Sequence, residues 1–303
     1  LRRLVINSDD FGLTSGVNRA IAEAHSQGVV TSATLMARSS ALTDAVQIAA
    51  ATPTLAVGCH VVLLDGAPVL PPHLVPTLLD EGTQFRHSLA QFALAITRNR
   101  INAAEVEAEA TAQIAHIQSI GVRVSHLDTH KHAHIFPSIL KPLLRAAHAC
   151  GVKAVRNPFT PANCLLWNQV FHHPELWKRF LAVQFLRGFA PDFRRIIERD
   201  GMITTDGTLG VVETGALSLD LLRIIVRLMP EGTWELVCHP GYDDAELSSV
   251  NTRLRRSRAQ ELELLTSPEV RALLDEHKVE LITYWDLQRQ AHLPRADSTR
   301  TAV

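Results

Sequence analysis

The 303 residues are 46% hydrophobic and 20% charged, which is enough apolar material for a substantial core in one barrel-sized domain or two smaller ones. A formal net charge of −1 and a pI near 7.0 give no electrostatic case for nucleic-acid binding. Cys59, Cys150, Cys164 and Cys238 are far apart and form no CxxC pair, which argues against a zinc ribbon or a disulfide framework and for a reducing compartment. The opening LRRLVIN reads as a strand rather than a signal-peptide core, and no apolar run is long enough to span a bilayer. A soluble, cytoplasmic protein is expected.

RLVINS, residues 3–8, reads as a short buried strand, followed by Asp-Asp-Phe-Gly and a helix over Val17 to His25 closed by Gly28. The strand and helix pattern recurs through SATLMA, LAVGCHVVL, VRVSHLDTH, VKAVRNP, TWELVCHPG and VELITYWDL. Such alternation predicts a parallel sheet wrapped by helices. About seven strands in one run favour a closed or nearly closed (β/α) barrel over a doubly wound open sheet. We expect a single domain over residues 1–290 and a frayed polar tail over 291–303.

Two insertions interrupt the alternation, at about 65–100 and 157–200. The first carries DGAPVLPPHLVP, an ordered Pro-rich loop over the barrel mouth. The second contains Phe159, Trp167, Phe171, Trp177, Phe180, Phe185, Phe189 and Phe193, half of the aromatic residues in the chain. It reads either as a satellite helical core or as a lid, an apolar-substrate contact or a membrane-surface contact, because Lys178, Arg179, Arg187, Arg194 and Arg195 are interleaved with the rings.

VSHLDTHKHAHIF, from Val124 to Phe136, places His126, Asp128, His130, His132 and His134 at every second position, so an extended backbone would project them from one face. Each histidine alone reads as a loop cap. Together they suggest a metal site, since five ionisable groups on one face are costly to bury without a metal or mutual pairing. The helical FPSILKPLLRAAHACG follows, which puts the His-rich end at the C-terminal edge of the sheet, where α/β enzymes keep their chemistry.

Asp9 and Asp10 end the first strand, and adjacent extended residues face opposite sides, so the two carboxylates can divide their work. A solvated turn also uses Asp and Gly. A kinase reading of DFG fails for want of a Gly-rich phosphate loop and an HRD-type loop. His60 lies in apolar VGCHVVL, where a lone histidine is commonly a satisfied core residue. Its strand end, however, would meet Asp10 and His130 from two other strands, giving three ligands with room left for water. His239, directed by the following Pro-Gly, is the candidate general acid, and Arg156 can pair with Asp9 and hold it ionised.

NSDDFGLTSGVNRAI, VGCHVVL, SHLDTHKHAHIFP, AVRNP and ELVCHPGYDD occur in the order and spacing of the YdjC-like (ChbG-type) carbohydrate deacetylases, which the chain resembles over about residues 3 to 285. VVLLDGAPVLPPHLVPTLLDEGTQFR looks most like the hopanoid-biosynthesis-associated HpnK branch. The resemblance implies a barrel of the glycoside hydrolase/deacetylase type and hydrolysis of an N-acetyl group from an amino sugar. It implies a divalent metal on Asp10, His60 and His130, with Asp9 as base, and for the branch a substrate whose N-acetylglucosamine is attached to a hopanoid lipid. Ser8 and Lys131 depart from the commonest pattern without touching a proposed ligand.

The expected reaction is metal-assisted amide hydrolysis with Asp9 accepting the proton, His239 protonating the departing amine, and His126 and Asp128 orienting the ligands. Two imidazoles and a carboxylate suit Zn2+, whereas the resemblance points to Mg2+. Peripheral contact with the inner membrane and a homodimer complete the expectations. The alternatives are a chitooligosaccharide deacetylase, a two-metal hydrolase of another bond drawing on His132 and His134, and a non-catalytic sugar-lipid binding barrel.

Overall fold

Strand β1 (Arg2–Phe11) is buried without interruption from Leu4 to Phe11, the signature of a central parallel strand covered on both faces. In the computed structural model, which describes residues 1–80, 82–161 and 176–291, β1 pairs in parallel with three strands. These are β2 (Ser32–Leu35), β6 (Gly232–Cys238) and, at Arg2–Leu4, the short β7 (Val279–Leu281). With β3 (Ala56–Val61), β4 (Leu127–Thr129) and β5 (Gly207–Leu209), the seven-stranded sheet has the order β4-β3-β2-β1-β6-β5, with β7 off this path.

The structure departs from the expected strands in two places. VKAVRNP forms only isolated bridges, Leu127 to Val155 and Ala154 to Ile203, rather than a full strand. Its ladder is short because Pro158 has no N–H to continue it. Gly207–Leu209 was not anticipated as a strand, since three residues starting with Gly carry no periodic signal.

The helices follow from ordinary local chemistry. α1 (Ser15–Ser26) starts where Thr14 Oγ1 accepts a hydrogen bond from the Val17 N–H at 3.1 Å, and it buries Val17, Ala20, Ile21 and Ala24 at helical spacing. α2 (Leu42–Ala51) follows β2, and α4 (Ala103–Ser119) packs on α5 (Pro137–Ala149), whose Ile139, Leu140, Leu143 and Leu144 are buried. α5 starts at Pro137, a residue suited to a first helical turn, and so lifts the chain away from the end of β4.

The first insertion is an ordered loop containing α3 (Leu89–Thr97) and an antiparallel bridge from Leu79 to Phe85. Buried α4 side chains hold it in place. Glu109 accepts from the Val69 and Leu70 N–H groups at 2.7 and 3.1 Å, and Gln113 accepts from the Val62 N–H at 2.9 Å. In the second, residues 176–200 form the helices Trp177–Leu186 and Ala190–Asp200. Phe180 joins a satellite cluster with Leu176, Val212 and Leu221, while Phe193 belongs to the main core. Trp167, Phe171, Cys164 and the expected tail from 292 onward lie outside the described residues. Among the described residues no helix is long and apolar enough to cross a membrane.

Gly58 lies in β3 against β4, and a Cβ there would come within 2.6 Å of the His126 ring and 2.7 Å of the His126 carbonyl oxygen. Since that oxygen is backbone and cannot swing aside, Gly58→Ala is expected to destabilise the fold by about 1–3 kcal/mol. Urea unfolding monitored by circular dichroism should show this as a lower midpoint at unchanged slope.

Candidate metal centre and active site

The end of β1 is bulged, its register against β2 slipping between Ser8 and Phe11. Asp10 takes a left-handed backbone conformation, φ 65°, which costs a residue with a Cβ roughly 1–2 kcal/mol. Local bonds offset this. The Leu13 N–H donates to the Asp10 carbonyl at 3.0 Å, and the Gly12 N–H donates to Asn18 Oδ1 at 2.7 Å. The bulge sends Asp9 and Asp10 to different partners.

Asp10 Oδ1 lies 3.6 Å from His60 Nε2 and 3.5 Å from His130 Nδ1, and the two ring nitrogens are 3.2 Å apart. The ligand atoms of Asp10, His60 and His130 thus fit within one small sphere, all within 4.8 Å of one another. Asp128 Oδ1 accepts from His60 Nδ1–H at 2.8 Å, which fixes the ring with Nε2 turned to Asp10 Oδ1 and His130. Three electron-pair donors aimed at one point, two of them buried, suit a cation. Asp9, His60 and Asp128 form a second close group, but both Asp9 oxygens and one Asp128 oxygen already face the Arg156 guanidinium, a poor place for another cation.

Asp9 meets Arg156 through two bonds, Nη1 to Oδ2 at 2.9 Å and Nη2 to Oδ1 at 2.6 Å. The same fully buried guanidinium reaches Asp128 Oδ2 at 2.5 Å and Glu235 Oε1 at 2.6 Å. Thr34 Oγ1 lies 3.3 Å from Asp9, His60 and Asp128 alike. Burial alone would raise the Asp9 carboxyl, but Arg156 outweighs it and holds the group far below the usual carboxylate range. Asp10 is held low in the same way, against burial, by Arg258 and the two histidines. In this buried cluster the four carboxyl groups of Asp9, Asp10, Asp128 and Glu235 share two guanidiniums, Arg156 and Arg258, and Asp10 Oδ1 is left to face the two imidazoles.

His239 directly follows β6 with Nε2 4.0 Å from Asp9 Oδ2, and its backbone N–H donates to Glu261 Oε2 at 2.6 Å. Burial lowers its imidazole to about 4 despite the nearby aspartates, so it rests neutral.

The alternating histidines do not share one strand face. β4 stops at Thr129, and the chain turns through a 3-10 segment, His130–Ile135, in which Lys131 and His132 are both left-handed at φ 54°. His130 therefore ends the row. His134 is tied to Thr129 Oγ1 and the Arg156 carbonyl, and no metal-capable group among the described residues includes His132 or His134. The structure also gives His126 no hydrogen bond to the three clustered ligands. Its ring stacks on Tyr284 at 3.5 Å, Nδ1 pairs with Ser125 Oγ and Nε2 has no partner.

Arg258 escaped the sequence reading. It is buried, and its Nη2 donates to Asp10 Oδ2 at 2.5 Å. Its signal lay in the helix pattern of RLRRSRAQELELL, where a charged residue falls on the inward face together with Glu261, Leu262 and Leu265. The ligand cluster opens into a cavity of about 700 Å³. Leu13, Met36, Leu89, Ile135, Val183 and Leu186 give it an apolar wall, and both insertions contribute to its lining.

The family model for YdjC-like proteins matches residues 3–276. The chain belongs to the YdjC-like family. It is 31% identical over 287 residues to a carbohydrate deacetylase of Brevibacillus brevis, covering 94% of this chain and 99% of that one. It is 32% identical over 283 residues to a carbohydrate deacetylase of Geobacillus stearothermophilus, covering 93% and 97%. A crystal structure from Enterococcus faecalis V583, of a protein assigned to cellobiose-phosphate cleavage, superposes with a TM-score of 0.75 at 29% identity over 94% of this chain and 98% of the other.

Opposite histidine shifts make the stability of the metal-free fold depend on pH. Burial would depress His60, but Asp128, Asp9 and Asp10 prevail and raise it from 6.5 to about 9. Its contribution, up to about 3 kcal/mol, is complete below pH 6.5 and lost as pH rises through 9. Burial lowers His134 to about 3 and His239 to about 4, so their contribution is present above pH 6.5 and declines as pH falls towards those values. Denaturant unfolding of chelator-treated protein should show stability falling between pH 6.5 and 9, and His60→Gln should reduce that fall.

Proposed function

We propose that this protein is a divalent-metal-dependent carbohydrate N-deacetylase that hydrolyses the acetamide of an N-acetylglucosamine-type sugar. The reading is carried by the convergence of Asp10 Oδ1, His60 Nε2 and His130 Nδ1 beside an ionised Asp9 at one cavity. The naming of several relatives as carbohydrate deacetylases supports it. Asp10, His60 and His130 hold the cation, which when bound makes water more acidic and polarises the acetyl carbonyl. Zn2+ suits the two imidazoles and Mg2+ the family resemblance.

Asp9 serves as the base. The two-point grip of Arg156 keeps it charged and aimed, at the cost of making it a weak proton acceptor. A carboxyl that acidic does not retain the proton, and neutral His239, 4.0 Å away, is placed to receive it and pass it to the departing amine. Asp128 fixes the His60 tautomer. The site set is then Asp10, His60 and His130 for metal, Asp9 and His239 for proton transfer, and Arg156 for control of Asp9.

The finer reading of the substrate is an N-acetylglucosamine attached to a hopanoid lipid. The resemblance of residues 61–86 to the hopanoid-associated branch supports it, as does the apolar cavity wall. Chitooligosaccharides are the alternative. The helix Trp177–Leu186 turns Val183 and Leu186 to the cavity while Leu181 and Phe185 are exposed, which supports a peripheral membrane contact beside the mouth. The same reading treats the molecule as one deacetylase domain carrying two insertions. It also treats the sheet as a closed barrel, supported by the bridges from Leu127 to Val155 and from Ala154 to Ile203.

Acetate release should be measured from free N-acetylglucosamine, chitobiose and an N-acetylglucosaminyl lipid, with and without chelator. We expect release that chelator abolishes and divalent metal restores, and the lipid-linked sugar to be the best substrate. Absence of acetate from all three would reject the deacetylase reading. Asp9→Asn should retain metal in elemental analysis and lose turnover by about 10²–10⁴-fold, whereas Asp10→Ala, His60→Ala and His130→Ala should lose metal and turnover together. Equal metal loss in Asp9→Asn would show that the two aspartates have been exchanged.

A further inference from the structure

Arg258 lies on the inward face of the helix Arg256–Thr266, next to Leu262 and Leu265 and 1% exposed. Packing alone would be served better there by an apolar side chain, because a buried guanidinium must recover its lost hydration from partners. Its partner is Asp10. Nη2 donates to Oδ2 at 2.5 Å, Nε is anchored on the Leu254 carbonyl at 3.1 Å, and Nη1 has no hydrogen-bond partner. Gly241 closes over the stem, where a Cβ would come within 3.0 Å of Arg258 Cδ, and the Gly241 N–H donates to the Arg258 carbonyl at 3.1 Å. The guanidinium is therefore fixed in place rather than swinging freely beside the carboxylate.

A carboxylate with both oxygens unengaged can grip a cation through either or both. Here Oδ2 is occupied by Arg258, and Oδ1 alone faces His60 and His130. One turn further along the same helix, Glu261 accepts from the His239 N–H, so this helix steadies residues on both sides of the site.

We infer that Arg258 is a positioning residue which confines Asp10 to a one-oxygen contact with the bound cation. The inference rests on the metal-binding reading above. It concerns how the cation is held and stands apart from which sugar is deacetylated.

Co2+ is the probe, titrated into chelator-treated full-length protein and followed by its visible absorption and by competition with a chelator. The parent should bind Co2+ with a defined spectrum, and failure of the parent to bind would overturn the metal reading and this inference with it. Arg258→Lys, which keeps a positive donor for Oδ2, should retain the parent spectrum. In Arg258→Met, Oδ2 is released, and the visible bands should weaken as the coordination number rises. If the methionine variant does not fold, Arg258→Gln, which removes the charge in a polar side chain of smaller size, replaces it with the same expectation. A folded Met or Gln variant with the parent's spectrum would overturn the assignment, as would a Lys variant indistinguishable from Met.

Discussion

A single buried guanidinium holds the centre of this molecule together. Arg156 is fully enclosed, yet it touches Asp9 from β1, Asp128 from β4 and Glu235 from β6. Three carboxylates at that depth would repel one another and shed their charge without it, and the guanidinium would be equally untenable without them. The strands are held in relative position by backbone ladders, but Arg156 dictates which way their polar side chains face. Glu235 is secured in turn by the Tyr284 hydroxyl, which donates to Oε2 at 2.5 Å, so even the last described helix is connected to Asp9 through two side chains.

This arrangement separates two adjacent carboxylates that would otherwise be equivalent. Asp9 and Asp10 are neighbours in sequence, but one bulged residue and two arginines give them different surroundings. Asp9 has both oxygens engaged by one fork, whereas Asp10 keeps one oxygen directed at a pair of imidazoles. The chemical division of labour follows from the backbone rather than from the identity of either side chain.

Much of this was legible in the chain itself. The short strand-like runs RLVINS, AVGCHV and WELVC, alternating with helical stretches, announced parallel strands, and the strand-end positions of Asp10, His60 and His130 were enough to bring them together. The period-two histidine row misled beyond His130, because periodicity describes a face only while the backbone stays extended, and two left-handed residues end that at Lys131. Arg258 was hidden for another reason. In a stretch with four arginines within six residues, from Arg253 to Arg258, composition cannot reveal which one turns inward. Only the docking of the helix against α1, which brings one of the four within reach of Asp10, selects it. His126 likewise shares the motif with the ligands but spends its ring on Tyr284, a contact across the fold that no local pattern encodes.

The partners of the Asp9–Asp10 pair come from far along the chain: Arg156 is 147 residues away and Arg258 is 248. During synthesis the first strand therefore leaves the ribosome carrying two carboxylates whose counter-charges do not yet exist. Until the final third of the polypeptide arrives they stay hydrated, since dehydrating an unmatched ion is prohibitive. Closure of the centre is thus a late folding event, because no shorter stretch of the polypeptide holds both carboxylates and both of their counter-charges.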